Sequence, residues 1–251
     1  MLKRIIPSLL LRNGRLVKGV AYADHRDAGR PDTTARAHNA QGADELVMLD
    51  VGAAPERRDT QVETVHRVRA ALRIPLTVGG GVRCVADAER LLAAGADRIS
   101  VNTAALLRPD LLAELASAFG SQCVVLAIDA RRAAGRSGWE ALVAGGGVTG
   151  HGDAVAWAAD GASRGAGEIL LTSWDADGTR AGHDLRLLRS VVGAVAVPVI
   201  ASGGIGTREH VAAAFEAGAD AVLAASVLHD GGETVAGIKE GAAARGVPVR
   251  R

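Results

Sequence analysis

The sequence predicts an α/β fold: one (β/α)8 TIM barrel built from two similar halves and occupying residues 1–251 as a single domain. Three observations point there. Eight short aliphatic runs recur along the chain, stretches with helical spacing separate most of them, and motifs of the first half return in the second at a nearly constant offset. Strand–helix alternation repeated eight times is the pattern of a closed parallel barrel, with an open doubly wound sheet as the alternative.

The strand candidates, in order, are residues 4–11, 45–50, 74–78, 98–102, 124–129, 168–173, 197–202 and 221–226, most of them ending in Gly, Asp, Asn or Ser. They read as near-continuous Val, Ile, Leu and Ala, as strands buried on both faces do. The whole chain has three Trp, one Tyr and two Phe, so aliphatic side chains must build the core. Between the strands, residues 85–94 and 208–217 carry apolar positions at helical spacing. Residues 133–152, rich in Gly and Ala, read as a mobile loop between the fifth strand and the next helix, with Trp139 as its one anchor.

The repeat is specific. Gly42-Ala43-Asp44 returns as Gly165-Ala166-Gly167 and Gly95-Ala96-Asp97 as Gly218-Ala219-Asp220, both at an offset of 123, while Gly79-Gly80 returns as Gly203-Gly204 at 124. Extended back to the first and fifth strands, the match pairs Leu10 with Asp129 at an offset of 119, which needs a four-residue insertion in the second half.

Composition excludes several functions. With 29 Lys+Arg against 28 Asp+Glu, the chain lacks the charge excess of a non-specific nucleic-acid binder. Cys84 and Cys123 argue against a disulfide framework, suit a reducing compartment, and have no paired base to activate them. The start, Met-Leu-Lys-Arg-Ile-Ile-Pro, has no apolar signal region, and no uninterrupted apolar run reaches about 18 residues. The reading is a cytoplasmic protein without nucleic-acid or membrane partners. Its seven His show no ligand spacing, so neither a metal nor a cofactor is expected.

In such a barrel the active site lies at the C-terminal ends of the strands. Two glycine-rich turns stand there symmetrically, Gly79-Gly80-Gly81 after the third strand and Ser202-Gly203-Gly204 after the seventh. Each is followed one strand later by small polar residues, Asn102-Thr103-Ala104 and Ala225-Ser226. Paired sites with open backbone N–H groups suit a substrate phosphorylated at both ends; glycines that serve tight turns alone are the alternative. Asp129 ends the fifth strand and is the candidate general acid or base, unless it only orients Arg131 and Arg132. At the opposite end, Arg4, Glu45, Arg98 and Glu168 open four strands and suggest a charged ring closing the barrel floor, or else separate surface salt bridges.

Ordered motifs run through nearly the whole chain: Asn13-Gly14-Arg15-Leu16-Val17-Lys18-Gly19, Thr77-Val78-Gly79-Gly80-Gly81, Ser100-Val101-Asn102-Thr103-Ala104, Ala127-Ile128-Asp129-Ala130-Arg131, Asp177-Gly178-Thr179 and Ala201-Ser202-Gly203-Gly204. Together they resemble the cyclase subunit of imidazole glycerol phosphate synthase, which works with a glutaminase in histidine biosynthesis. The resemblance implies a heterodimer in which glutaminase-derived ammonia rises through the barrel to a bis-phosphorylated aminoimidazole ribonucleotide. Ring closure then releases imidazole glycerol phosphate and an aminoimidazole carboxamide ribonucleotide. Carried over by position, Gly81, Asn102 and Thr103 would hold one phosphate, and Asp177, Gly178, Gly204, Ala225 and Ser226 the other. Lys18 would lie on a loop that folds over substrate. Arg4, Glu45, Arg98 and Glu168 match the family's ammonia gate, with a bulkier, forked Arg98 where Lys is usual.

One departure stands out. The family ends its first strand with an Asp that works with the one on the fifth; here that place is Leu10. Ser8 should share its barrel-facing side, but a hydroxyl is a poor acid or base near neutral pH. A related branch with a similar Ile-Pro-x-Leu-Leu-Leu opening resembles proteins of surface-sugar amidination that deliver ammonia. That branch, and a catalytically silent glutaminase-binding scaffold, are the alternatives to an active cyclase.

Overall fold

A computed structural model describes residues 2–20, 23–54, 56, 59–135, 137–143 and 152–250. The chain runs β1 (Arg4–Arg12), β2 (Arg15–Val20), β3 (Ala23–Gly29), α1 (Pro31–Ala40), β4 (Leu46–Asp50), α2 (Val62–Ala70), β5 (Leu76–Gly79), α3 (Val85–Ala93) and β6 (Arg98–Val101). It continues through α4 (Thr103–Leu107), α5 (Asp110–Phe119), β7 (Val124–Arg132), β8 (Trp139–Leu142), α6 (Ala154–Ser163), β9 (Glu168–Ser173) and α7 (Leu185–Ala194). The last elements are β10 (Val199–Ser202), α8 (Arg208–Glu216), β11 (Ala221–Ala224), α9 (Ser226–His229) and α10 (Val235–Ala244).

Eight parallel strands, β1, β4, β5, β6, β7, β9, β10 and β11, pair in that order, and β11 returns to β1 with Arg4 opposite Ala221. The sheet is closed, so the open-sheet alternative fails. Period two then splits each strand between two cores. Ile6, Val47, Val125, Leu170, Ile200 and Leu223 fill the barrel. The alternate residues, such as Ile5, Leu46, Leu76, Leu126 and Ile169, belong to the larger core shared with the helices. Apolar demand on both faces is why the strands read as unbroken aliphatic runs.

The repeated Gly-Ala-Asp motif has a structural cause. The carboxylates of Asp44, Asp97 and Asp220 accept from the backbone N–H of Ile5 (2.8 Å), Leu76 (2.8 Å) and Val199 (3.2 Å), tying each strand's entry to the start of its neighbour. The fourth copy is Gly167, where a Cβ would lie 2.2 Å from the Ser121 carbonyl oxygen. No side chain fits, and the repeat breaks there for steric reasons.

Two hairpins modify the expected plan. β1 continues into the antiparallel pair β2–β3, which the strand list omits. Residues 133–152 are not one loop: β8 pairs antiparallel with the outer end of β7, and Asp153 caps α6 by accepting from the N–H of Val155 and Ala156. Trp139 belongs to that strand, and its indole N–H donates to Asp184 at 3.0 Å. Residues 136 and 144–151 of this segment lie outside the described residues. Among the described residues, no helix is long and apolar enough to cross a membrane.

Candidate active site

Asp129 stands near the mouth end of β7 and is almost fully buried. Its neighbours are set by strand order. On one side Asn102, at the end of β6, donates its Nδ2 to Asp129 Oδ2 at 2.8 Å. On the other, the β7–β9 register places Thr172 opposite Asp129, and the Thr172 hydroxyl hydrogen-bonds the carboxylate. Burial pushes the Asp129 carboxyl up to about 6; the bonds from Asn102 and Thr172 oppose the shift, and the charge of Asp177 adds to it. Arg131 instead pairs with Glu140 (2.6 Å), and Arg132 with Asp184 (2.8 Å). Asp129 therefore does not serve to orient the two arginines.

The mouth has two lobes that share Leu49, Leu170 and Thr172 as a common wall. The larger, a cavity of roughly 420 Å³, is lined by Gly80, Gly81, Ser100, Asn102, Thr103 and Asp129. The smaller, roughly 60 Å³, is lined by Ser8, Leu10, Asp177, Gly178, Gly204 and Ser226, with Ala225 beside them. The predicted site residues of the mouth other than Lys18 thus fall into the two expected groups, and the groups adjoin. Lys18 lies on β2, and its side chain is outside the described residues.

The lobes are built alike. Asn102 precedes α4 with φ −132° and ψ −96°, and Ala225 precedes α9 with φ −123° and ψ −87°, the same backbone turn in both halves. Gly80 and Gly203 occupy equivalent left-handed positions, at φ +103° and +88°. A Cβ would meet the Asp50 carbonyl oxygen at 2.3 Å in the first and that of Ser173 at 2.7 Å in the second. These two glycines have a packing reason of their own, independent of any ligand.

At the floor, Arg4 Nη1 meets Glu45 Oε1 at 2.7 Å, and Arg4 Nη2 bonds Glu168. Arg98 Nη1 reaches both acids, at 3.0 Å from Glu45 and 2.8 Å from Glu168. The four residues form a closed ring at the N-terminal end of the barrel. Partial burial lowers the Arg4 pKa but is outweighed by its bonds and proximity to Glu168 and Glu45, so Arg4 stays charged.

Leu10 is half-buried and faces the smaller lobe, and Ser8 is on the same side, as strand period requires. Ser8 is 1% exposed, and among the described residues its hydroxyl has no hydrogen-bond partner. Sequence marks Thr172 only as a polar strand end and does not single out Arg180. The signal for Thr172 is its place one barrel strand beyond Asp129 at the same height. Arg180, with φ +58°, lines the smaller lobe while its guanidinium bonds Asp230.

A closed (β/α)8 barrel with a buried carboxyl in the larger of two adjoining lobes at its mouth defines a barrel enzyme of small-molecule metabolism. The family model for histidine biosynthesis proteins matches residues 4–234, and the chain belongs to that family. It is 56% identical over 252 aligned residues to imidazole glycerol phosphate synthase subunit HisF of Mycobacterium tuberculosis, in each of two strains, across 98% of this chain and 94% of the relative.

Proposed function

We propose that this barrel is the cyclase half of an imidazole glycerol phosphate synthase, closing the imidazole ring of a bis-phosphorylated aminoimidazole ribonucleotide with ammonia. The enzyme class and pathway rest on 56% identity across nearly all of both chains. The observation that carries the residue-level reading is Asp129: a buried carboxyl held by Asn102 and Thr172 beside the wall common to both lobes.

In this reading the reacting part of the substrate lies across that wall and each phosphate enters one lobe. Gly81, Asn102 and Thr103 hold one phosphate, and Gly178, Gly204, Ala225 and Ser226 the other. Backbone N–H groups supply much of the anion binding, which is why a net charge of +1 is no obstacle. Lys18 closes over the substrate. Asp129, ionised above about pH 6, takes a proton as the ring forms.

Ammonia reaches the mouth from the floor, where a glutaminase subunit docks in a heterodimer. As it stands, the ring of Arg4, Glu45, Arg98 and Glu168 is closed, so passage requires at least one side chain to swing aside. The word subunit in the relative's name supports an assembly. The barrel works as one domain, in the cytoplasm.

Complementation tests the reading. The gene should restore growth without histidine to a strain lacking its own cyclase subunit, and the Asp129→Asn variant should not. Failure of the parent gene in cells that make folded protein and a matching glutaminase would reject it.

A further inference from the structure

Leu10 removes a carboxyl from the first strand, yet ring closure needs a proton donor as well as a base. We propose that Asp177 supplies the second carboxyl of the reaction, acting from the loop after β9 in place of an acid at position 10. The inference rests on the function proposed above.

Three observations place Asp177 there. It lines the same small lobe as Leu10, and among the described residues it is the only carboxyl lining that lobe. The one other charged side chain lining it, Arg180, is turned onto Asp230. Thr172, which hydrogen-bonds Asp129, also lines this lobe, so the two acids flank one threonine wall, close enough that the charge of Asp177 acts on Asp129.

The backbone of Asp177 is already committed. Its N–H donates to the Ser173 carbonyl at 3.0 Å, and the N–H of Gly178 bonds the Asp177 carboxylate. What Asp177 presents to the lobe is therefore its carboxyl rather than an amide donor for phosphate. Burial raises that carboxyl's pKa, with the Gly178 N–H opposing. A carboxyl shifted in this direction holds its proton to higher pH than a free one, as a proton donor must. Asp50 lines the larger lobe and not the one that holds Leu10, and its Oδ1 accepts from the Gly52 N–H at 3.2 Å.

The proton account balances. Ammonia first condenses with the substrate's carbonyl carbon, whose oxygen leaves as water; the same nitrogen then forms the last ring C–N bond and loses a proton to Asp129. The C–N bond to the departing carboxamide ribonucleotide breaks, and its amine nitrogen takes the proton of Asp177. The two carboxyls end with exchanged protonation and reset through solvent.

The test compares the parent with Asp177→Asn, Asp177→Glu, Leu10→Asp and the Leu10→Asp/Asp177→Asn double variant. Ammonium drives the reaction with the authentic ribonucleotide, and kcat and KM are measured separately. Asp177→Asn should lower kcat by about 10²-fold or more with KM within a few-fold, and Asp177→Glu should retain kcat within about tenfold. A carboxyl restored at position 10 should make Asp177 dispensable, leaving the double variant within about tenfold of Leu10→Asp. A raised KM with unchanged kcat in Asp177→Asn would overturn the proposal and make Asp177 a phosphate-lobe residue. If Leu10→Asp does not fold, the Asn and Glu variants decide alone. An inactive parent made active by Leu10→Asp would overturn this inference but keep the family chemistry. A folded parent and a folded Leu10→Asp that are both inactive would reject the function itself.

Discussion

Asn102 Nδ2 donates to Asp129 Oδ2 at 2.8 Å, joining the mouth ends of two adjacent strands. The bond links both halves of the account. Asn102 precedes α4 in the turn that shapes the larger lobe, and its amide steadies the ionised form of the acid lining that lobe.

The bond sets a pH dependence. With the Asp129 carboxyl at about 6, the base form accumulates above that pH. At constant free ammonia, kcat/KM should fall about tenfold per pH unit below pH 6 as Asp129 takes up its proton. Asn102→Ala removes a bond to the charged form, so the limb should move to higher pH. Parallel pH–rate profiles check this, and an unmoved limb would dissociate Asp129 from it.

Stability should run against activity at the same residue. A carboxyl raised to about 6 in the folded state binds more protons than the unfolded chain between about pH 4 and 6. Its burial is therefore harmless at low pH, and the penalty grows as pH rises through that window, reaching about 2–3 kcal/mol by pH 7. Asp129→Asn should thus be more stable than the parent by about 1–3 kcal/mol at pH 7.5, with the difference shrinking toward pH 4. Urea unfolding at the two pH values measures it.

The floor ring should separate the two nitrogen sources. Glu168 is 5% exposed and accepts from both Arg4 and Arg98. Glu168→Gln leaves one carbonyl for two cations and should cost about 2–4 kcal/mol, somewhat less than a fully buried pair. Ammonium-driven turnover at the far end of the barrel should stay within a few-fold, while glutamine-driven turnover with the glutaminase changes. Equal effects on both would contradict a gating role.

Glycine substitutions should divide by space. Gly42 is left-handed (φ +81°), but nothing lies within 4 Å of an added Cβ, so Gly42→Ala should cost about 1–2 kcal/mol. Gly80→Ala meets a backbone carbonyl at 2.3 Å and should cost about 3 kcal/mol or more. Thermal unfolding of the two variants gives the comparison.

The barrel is legible because its strands are packed on both faces, so eight aliphatic runs with polar ends survive in the sequence. The floor ring is legible for a related reason: charges that open otherwise aliphatic strands have few places to go but the barrel end. What escapes notice depends on register or on turn chemistry. The β1–β2 hairpin is announced only by Asn13-Gly14, at φ +52° and +70°, a tight-turn pair between two strand-like runs. β8 is short, and it is held by the Arg131–Glu140 ion pair and the 6.0 Å contact of Arg132 with the Trp139 ring, neither of which spacing reveals. Asp129 is visible as a strand end; its partners Asn102 and Thr172 emerge only once β6, β7 and β9 are known to lie side by side.

The most direct measurement follows product formation from the authentic ribonucleotide, with ammonium as nitrogen donor, for the parent and Asp129→Asn at pH 8. The parent should form imidazole glycerol phosphate and the carboxamide ribonucleotide in equal amounts, and Asp129→Asn should be slower by about 10²–10⁴-fold. Parental turnover no faster than that of Asp129→Asn, from folded protein that binds the ribonucleotide, would contradict the assignment.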